Sequence, residues 1–292
     1  MSSKRAGKAP TTILRSDALT RIPWLVHGFS TRQGGFSRSY GGRTLNLGFT
    51  KDDQRSTVER NRRAFQQQLG ATQGTKPWPL VTLRQIHSDL IHCINDLNDL
   101  PSAGDGLITS LPQVLLAIQT ADCLPVILVD SKRHSVGVFH AGWRGTVKRI
   151  VEKGVGEMRR WFGAEPANIK AAIGPGVHSC CYQVGPEVRV EFESQFAYGS
   201  DLFHETEDSD PVREKYPLLF LTARAPGHSE LPKKIFLDLV EANRRQLMDV
   251  GVRPRNISAA PECTACRTDL LFSYRAEKGT TGRMMGAAGT RS

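Results

Sequence analysis

Apolar residues fall along the chain in short runs and in three helical stripes. "WLVHGFS" (24–30), "VLLAIQT" (114–120), "PVILVD" (125–130) and "SVGVFH" (135–140) read as strands, each bounded by polar or glycine-bearing segments. Only the polar "SKRH" separates the last two, which predicts a hairpin. "LVTLRQIHS" (80–88) alternates, placing Val81, Leu83, Gln85 and His87 on one side. "IKAAIGPG" (169–176) and "NISAAPEC" (256–263) add two more strands, the second being the last predicted.

In "DDQRSTVERNRRAFQQQLG" Val58, Phe65 and Leu69 share one helical face, Asp52 or Asp53 is the expected cap, and Gly70 ends the helix. Val147, Ile150, Val151, Val155, Met158 and Phe162 recur at three- and four-residue steps, predicting a helix from about Thr146 to Gly163. "FLDLVEANRRQLMDVG" (236–251) predicts a third. "TRQGGFSRSYGG" (31–42) reads as a glycine-rich loop. Residues 197–232, acidic and then proline-bearing, read as an excursion or lid. Strands and helices mix without regular βαβ alternation, so a plain doubly wound sheet is not expected.

Composition adds limits. The chain has 292 residues, 39% of them hydrophobic, enough to bury one large core. No apolar run approaches the roughly 20 residues of a membrane helix, and no secretory-type apolar segment opens the sequence. A cytoplasmic protein is therefore expected. The net charge is +10, with Lys4, Arg5, Lys8 and Arg15 all preceding the first acid, Asp17. Residues 1–16 read as a basic flexible tail, and 17–292 as a single catalytic domain. There is no stripe of Lys and Arg with interleaved aromatics, so nucleic acid is not an expected partner, whereas small phosphate-bearing ligands are.

His87, Cys123 and His140 each lie at or just beyond the end of a strand-like run, so they can converge. A thiolate with two imidazoles suits Zn²⁺ and keeps a fourth position open. Cys123 and His140 alone also suit a thiol nucleophile with its base. After His140, Gly142 and Gly145 bracket Trp143 and Arg144 in "HAGWRG". A helix N-terminus beside an arginine there would make an anion site. Asp122, next to Cys123, is a candidate proton shuttle. Arg32, Asn46, Gln85 and Tyr182, on loops after strands or beside His87, are candidate substrate contacts. "CTAC" (263–266) and the vicinal Cys180 and Cys181 remain without a predicted role.

"HGFSTRQGG", "LNLG", "RQIHS", "DGLIT", "TADCLPVIL", "HAGWRG", "IGPG…CCYQVG" and "CTAC…FSYR…TGR" occur in this order from residue 27 to 283. Together they resemble the YfiH/DUF152 group, also described as the multicopper polyphenol oxidase or laccase-domain family. The resemblance implies a compact α/β domain of α+β type, with mixed β-sheets layered with helices, grouped with a bacterial toxin fold of cysteine-hydrolase type. It implies one zinc held by His87, Cys123 and His140. The activities it implies are phosphorolysis of adenosine, inosine, guanosine or methylthioadenosine and deamination of adenosine, with nucleoside and phosphate as partners of a monomer or homodimer. Editing of a peptidoglycan precursor by a zinc or Cys–His hydrolase is the alternative. A laccase-like reaction is disfavoured, because several coppers need many paired histidines and this chain has eight, none in His-x-His spacing. Copper at the single site is not favoured.

Overall fold

The strand runs pair into two mixed sheets within one unit of the computed structural model, which describes residues 13–207 and 233–291. Contacts divide the described residues into two compact units. The larger comprises the chain up to His178 and from Leu239 onward, and the smaller is Ser179–Asp238.

In the larger unit a five-stranded sheet runs in the order Ile13–Leu14, Leu25–Ser30, Met284–Thr290, Leu115–Thr120, Leu80–Val81. A six-stranded sheet runs Ile257–Ala259, Ile169–Ile173, Leu124–Asp130, Ser135–Ala141, Gly106–Thr109, Ile91–Cys93. The predicted hairpin is present, with Leu124 opposite Ala141 and Asp130 opposite Ser135. Successive strand residues point to opposite faces, and here both faces are apolar. One set, including Phe29, Leu116, Ile118, Ile127, Val136 and Val138, meets between the sheets. The alternate set of the first sheet, including Val26, Leu115, Ala117 and Ala287, packs on Phe65 and Leu69 of the helix Arg55–Leu69. The helix Ile150–Phe162 lies against the second sheet, where Gly154 leaves room for the Phe139 ring; a Cβ there would stand 2.5 Å from it.

Several boundaries differ from expectation. Asp52 and Asp53 do not cap the helix Arg55–Leu69; Gln54 holds that position without a side-chain bond. The predicted 146–163 helix is two helices, Trp143–Val147 and Ile150–Phe162, broken at Arg149 with φ +63°. "QGGFS" inside the predicted loop is the strand Gln33–Ser37. The helix expected from 236 starts at Leu239, because Lys233–Leu237 is a strand. Ile13–Leu14, within the expected 1–16 tail, pairs with Leu25–Ser30; residues 1–12 lie outside the described residues.

The smaller unit contains an antiparallel sheet with Lys233–Leu237 between Gln183–Val184 and Phe203–Glu207. The helix Pro186–Gln195 contributes Phe192, whose ring meets those of Phe196 and Phe203. Within the expected excursion or lid, Gly199–Leu202 is a 3-10 turn and Phe203–Glu207 a strand, and 208–232 lies outside the described residues. Among the described residues no helix is long and apolar enough to cross a membrane.

His27, on the strand Leu25–Ser30, is 3% exposed, and its Nε2 has no hydrogen-bond partner among the described residues. Burial first, and then the charge of Arg15, lowers its pKa to about 4 from 6.5. An unfolded chain takes up this proton below pH 6.5, whereas the native chain refuses it until about pH 4. Native stability is therefore undiminished above 6.5 and falls by up to about 3 kcal/mol on acidification to about 4. Urea unfolding of wild type and His27→Gln at neutral pH and near pH 4.5 checks this. The variant is expected to lose less stability between the two, and an identical loss would refute the assignment.

Candidate metal centre

One strand and two loops deliver the candidate ligands. His140 sits near the end of the strand Ser135–Ala141, 4% exposed, and forms the floor. Cys123, half-buried, immediately precedes the strand Leu124–Asp130, whose register with Ser135–Ala141 places Pro125 opposite His140. His87 stands on the exposed side in a left-handed conformation, φ +56°. The donor atoms of all three lie within 4.8 Å of one another, and Cys123 Sγ is 4.0 Å from His87 Nε2. Zn–S and Zn–N bond lengths put two tetrahedral ligands about 3.5 Å apart, so modest closure brings this set to a metal.

Asp105, which the sequence reading did not assign, holds the arrangement together. It is fully buried at the start of "DGLIT". His140 donates from Nδ1 to its Oδ1 at 2.8 Å, and the His140 backbone N–H donates to its carbonyl, also at 2.8 Å. Nδ1 therefore carries the proton, and Nε2 is left for a ligand role. The same carboxylate accepts the backbone N–H groups of Ile86, His87 and Ser88 at 3.2, 3.1 and 2.6 Å, and the Ser88 hydroxyl at 2.7 Å. Those bonds stabilise the left-handed turn at His87 that an ordinary side chain disfavours. One buried carboxylate thus orients two of the three candidate ligands.

The electrostatics match. Burial alone would raise the Cys123 thiol, but His140 and His87 beside it pull it well below its usual range. Burial alone would lower His140, but Cys123 and Asp105 raise it. Without a metal the pair favours thiolate and imidazolium; a metal takes the place of that proton.

The glycines of "HAGWRG" serve packing. A Cβ on Gly142 would lie 2.8 Å from Cys123 Sγ and 3.3 Å from His87 Cδ2, and one on Gly145 would lie 3.1 Å from the Ser88 carbonyl oxygen. The helix Trp143–Val147 has only five residues. Arg144 is exposed, with its guanidinium 4.3 Å from the Trp143 ring centroid. At this turn the backbone therefore approaches the candidate ligands closely, with Arg144 on the exposed side.

Other expected site residues hold structure. Asp122, at φ +100°, accepts the Thr264 and Ser273 hydroxyls and the Arg275 N–H, each at 2.7 Å, so its carboxylate braces the Cys123 loop rather than standing ready as a proton shuttle. Arg32 is paired with Glu277 at 3.1 Å and donates to the Thr268 and Tyr40 carbonyls. Asn46 is fully buried, bonded to Gly48, Asp53 and the Arg283 N–H. Gln85 clasps the Gln119 backbone through both ends of its amide, each at 2.7 Å. Tyr182 belongs to the smaller unit, where its carbonyl accepts the Leu237 N–H. The side chains of Arg32, Asn46 and Gln85 are thus engaged within the protein, where they were expected to contact a substrate. Sequence could not distinguish the two roles, because a polar residue after a strand serves either.

Comparison with known proteins places this geometry. A family described as multi-copper polyphenol oxidoreductase laccase matches residues 26–291. The chain is 34% identical over 275 residues to purine nucleoside phosphorylase YlmD of Geobacillus stearothermophilus, covering 91% of this chain and 90% of that protein. It is also 34% identical over 213 residues to adenosine deaminase RL5 of an unknown prokaryotic organism, covering 70% and 72%. The crystal structure of Bacillus licheniformis hypothetical protein YfiH superposes with a TM-score of 0.78 at 30% identity, covering 97% of both chains. Matched along nearly its whole length, the chain belongs to the multi-copper polyphenol oxidoreductase laccase family, whose YfiH and YlmD members share its α/β fold.

Proposed function

We propose that the chain is a zinc-dependent purine nucleoside enzyme. It cleaves adenosine, inosine, guanosine or methylthioadenosine with phosphate, and it deaminates adenosine. The observation that carries this reading is the convergence of His87, Cys123 and His140, with the His140 tautomer set by Asp105. Relatives named for both reactions over most of their length support the substrate class. The donor set favours zinc over a copper cluster, since one thiolate and two imidazoles make one site.

When bound, the metal supplies a Lewis acid able to activate water near neutral pH. The residues of the chain do the rest. Asp105 keeps the His140 Nε2 lone pair toward the site, Cys123 contributes the anionic donor, and His87 leaves the solvent side open for a substrate. In phosphorolysis a phosphate oxygen bonds to C1′ while the C1′–N bond breaks; the electron pair leaves with the purine, which takes up a proton. In deamination the oxygen of water bonds to C6 and ammonia departs.

One observation favours a second reading. Cys123, His140 and Asp105 are ordered as nucleophile, base and orienting acid, the array of a cysteine hydrolase or of an amidase that edits peptidoglycan precursors.

The test is incubation of purified protein with adenosine and phosphate, with and without a chelator, beside His140→Ala. Inosine, free base and ribose-1-phosphate are expected, lost on chelation and restored by zinc. Absence of all three products above the His140→Ala background would refute the nucleoside reading. Full activity in metal-free protein would move the chemistry to the Cys–His pair.

A further inference from the structure

A cavity of about 330 Å³ lies between residues 48–52 and 279–283. Lys51 and Arg283 line it, with the hydroxyl-bearing Thr50 and Thr281 and the amide of Gln119. Neither Lys51 nor Arg283 forms an ion pair among the described residues, unlike Arg32, which is neutralised by Glu277. Two cations against the single carboxylate of Asp52 leave this polar concavity net positive, which suits an anion.

The walls are built rather than incidental. Asn46 Oδ1 accepts the backbone N–H groups of Gly48 at 3.1 Å and of Arg283 at 2.9 Å, tying the two rims together. Gln85 pins Gln119. The three sides converge at Gly48, where a Cβ would stand 2.6 Å from Arg283 Cγ and 2.9 Å from Gln119 Oε1. Arg283 is held by donation from Nη1 to the carbonyls of Thr281 and Gly282, at 3.1 and 3.0 Å. Gln119 lies on the strand that runs into Cys123, and Gln85 precedes His87 by two residues, so this wall is continuous with the loops that carry the candidate ligands.

We infer that this cavity is an oxyanion subsite that binds inorganic phosphate, the co-substrate of the phosphorolysis proposed above, on which its biological role rests. The Arg283 fork and the Lys51 ammonium hold the phosphate oxygens. Asp52, which also lines the cavity, is the acceptor that the single hydroxyl of hydrogen phosphate requires. Arg144, expected from sequence to hold the anion, is not needed for it.

The test is equilibrium binding of inorganic phosphate to the intact protein without nucleoside, so that it does not depend on turnover. Arg283→Gln is expected to weaken binding by about tenfold or more, the scale of one lost charge-assisted pair. Lys51→Gln, at an exposed residue, is expected to weaken it several-fold without affecting folding, and Arg283→Lys to recover part of the loss. Phosphate affinity unchanged in both glutamine variants would overturn the subsite, as would no saturable binding at tens of millimolar phosphate. Loss of binding in the variants supports it even if the wild type cleaves no nucleoside, an outcome that would refute the proposed function alone.

Discussion

Asp105→Ala is expected to unfold the protein more easily and to weaken binding of the proposed metal. The carboxylate is fully buried and receives donors from Ile86, His87, Ser88 and His140. Removing it leaves these groups unpaired away from water, at about 1–3 kcal/mol for each donor that finds no substitute. Loss of one partner from a buried charged network typically costs about 3–5 kcal/mol in total. Asp105→Asn separates fold from chemistry. It keeps the shape and one acceptor oxygen, but its amide nitrogen opposes N–H donors and frees the His140 tautomer. Metal affinity should fall about 10- to 100-fold, as for other substitutions behind a metal-ligating histidine. Competition titration against a zinc chelator, with urea unfolding of the same samples, checks both. Native metal affinity in Asp105→Asn would show that His140 is oriented by other contacts.

What the sequence made legible follows from how each signal is encoded. The hairpin 125–140 was readable because both strands are near-continuous apolar runs and the turn between them is short and polar. The strand Met284–Thr290 was not readable. Its sequence, "MMGAAGT", is rich in Gly and Ala, which favour strands weakly, yet it is central in the five-stranded sheet. Small residues suit it because it is buried on both faces between paired neighbours. The break at Arg149 left no trace, since the apolar stripe continues across it. Of the candidate site, the three ligand positions were visible as a Cys and two His at strand ends. Asp105 was hidden because its role depends on residues distant in sequence, and an acid before an apolar strand ordinarily reads as a turn residue.

The same convergence explains why two chemistries compete here. A carboxylate that fixes a histidine tautomer serves a metal ligand and a general base equally well. His87 weighs toward metal. A thiol–imidazole pair needs no second histidine, yet Asp105 uses three backbone N–H bonds to hold the 86–88 turn in place, with His87 left-handed at its centre. That backbone strain has a purpose when the imidazole must meet Cys123 across a metal.

Gly142→Ala tests this at the ligand itself. Gly142 has φ −79° and ψ 172°, extended backbone that alanine adopts freely, so the change carries no conformational penalty. Its effect is confined to the added methyl, which would lie 2.8 Å from Cys123 Sγ and 3.3 Å from His87 Cδ2. Nonbonded carbon atoms settle at about 3.5–4.0 Å and sulfur is larger, so the methyl forces both ligands outward. Catalytic geometry tolerates little of this, since misplacement by about 1 Å can cost about 100-fold in rate. The expected result is a folded protein with metal affinity and nucleoside turnover each reduced by about two orders of magnitude. Excess zinc should restore part of the occupancy but less of the rate. Gly156→Ala provides the contrast, because the methyl meets nothing within 4 Å on the helix Ile150–Phe162. It should stabilise the protein by up to about 1 kcal/mol and leave metal binding unchanged. Metal analysis, steady-state rates and thermal unfolding of the two variants decide the matter. Wild-type metal affinity and turnover in Gly142→Ala would mean that the close approach of this turn to Cys123 and His87 has no part in the chemistry.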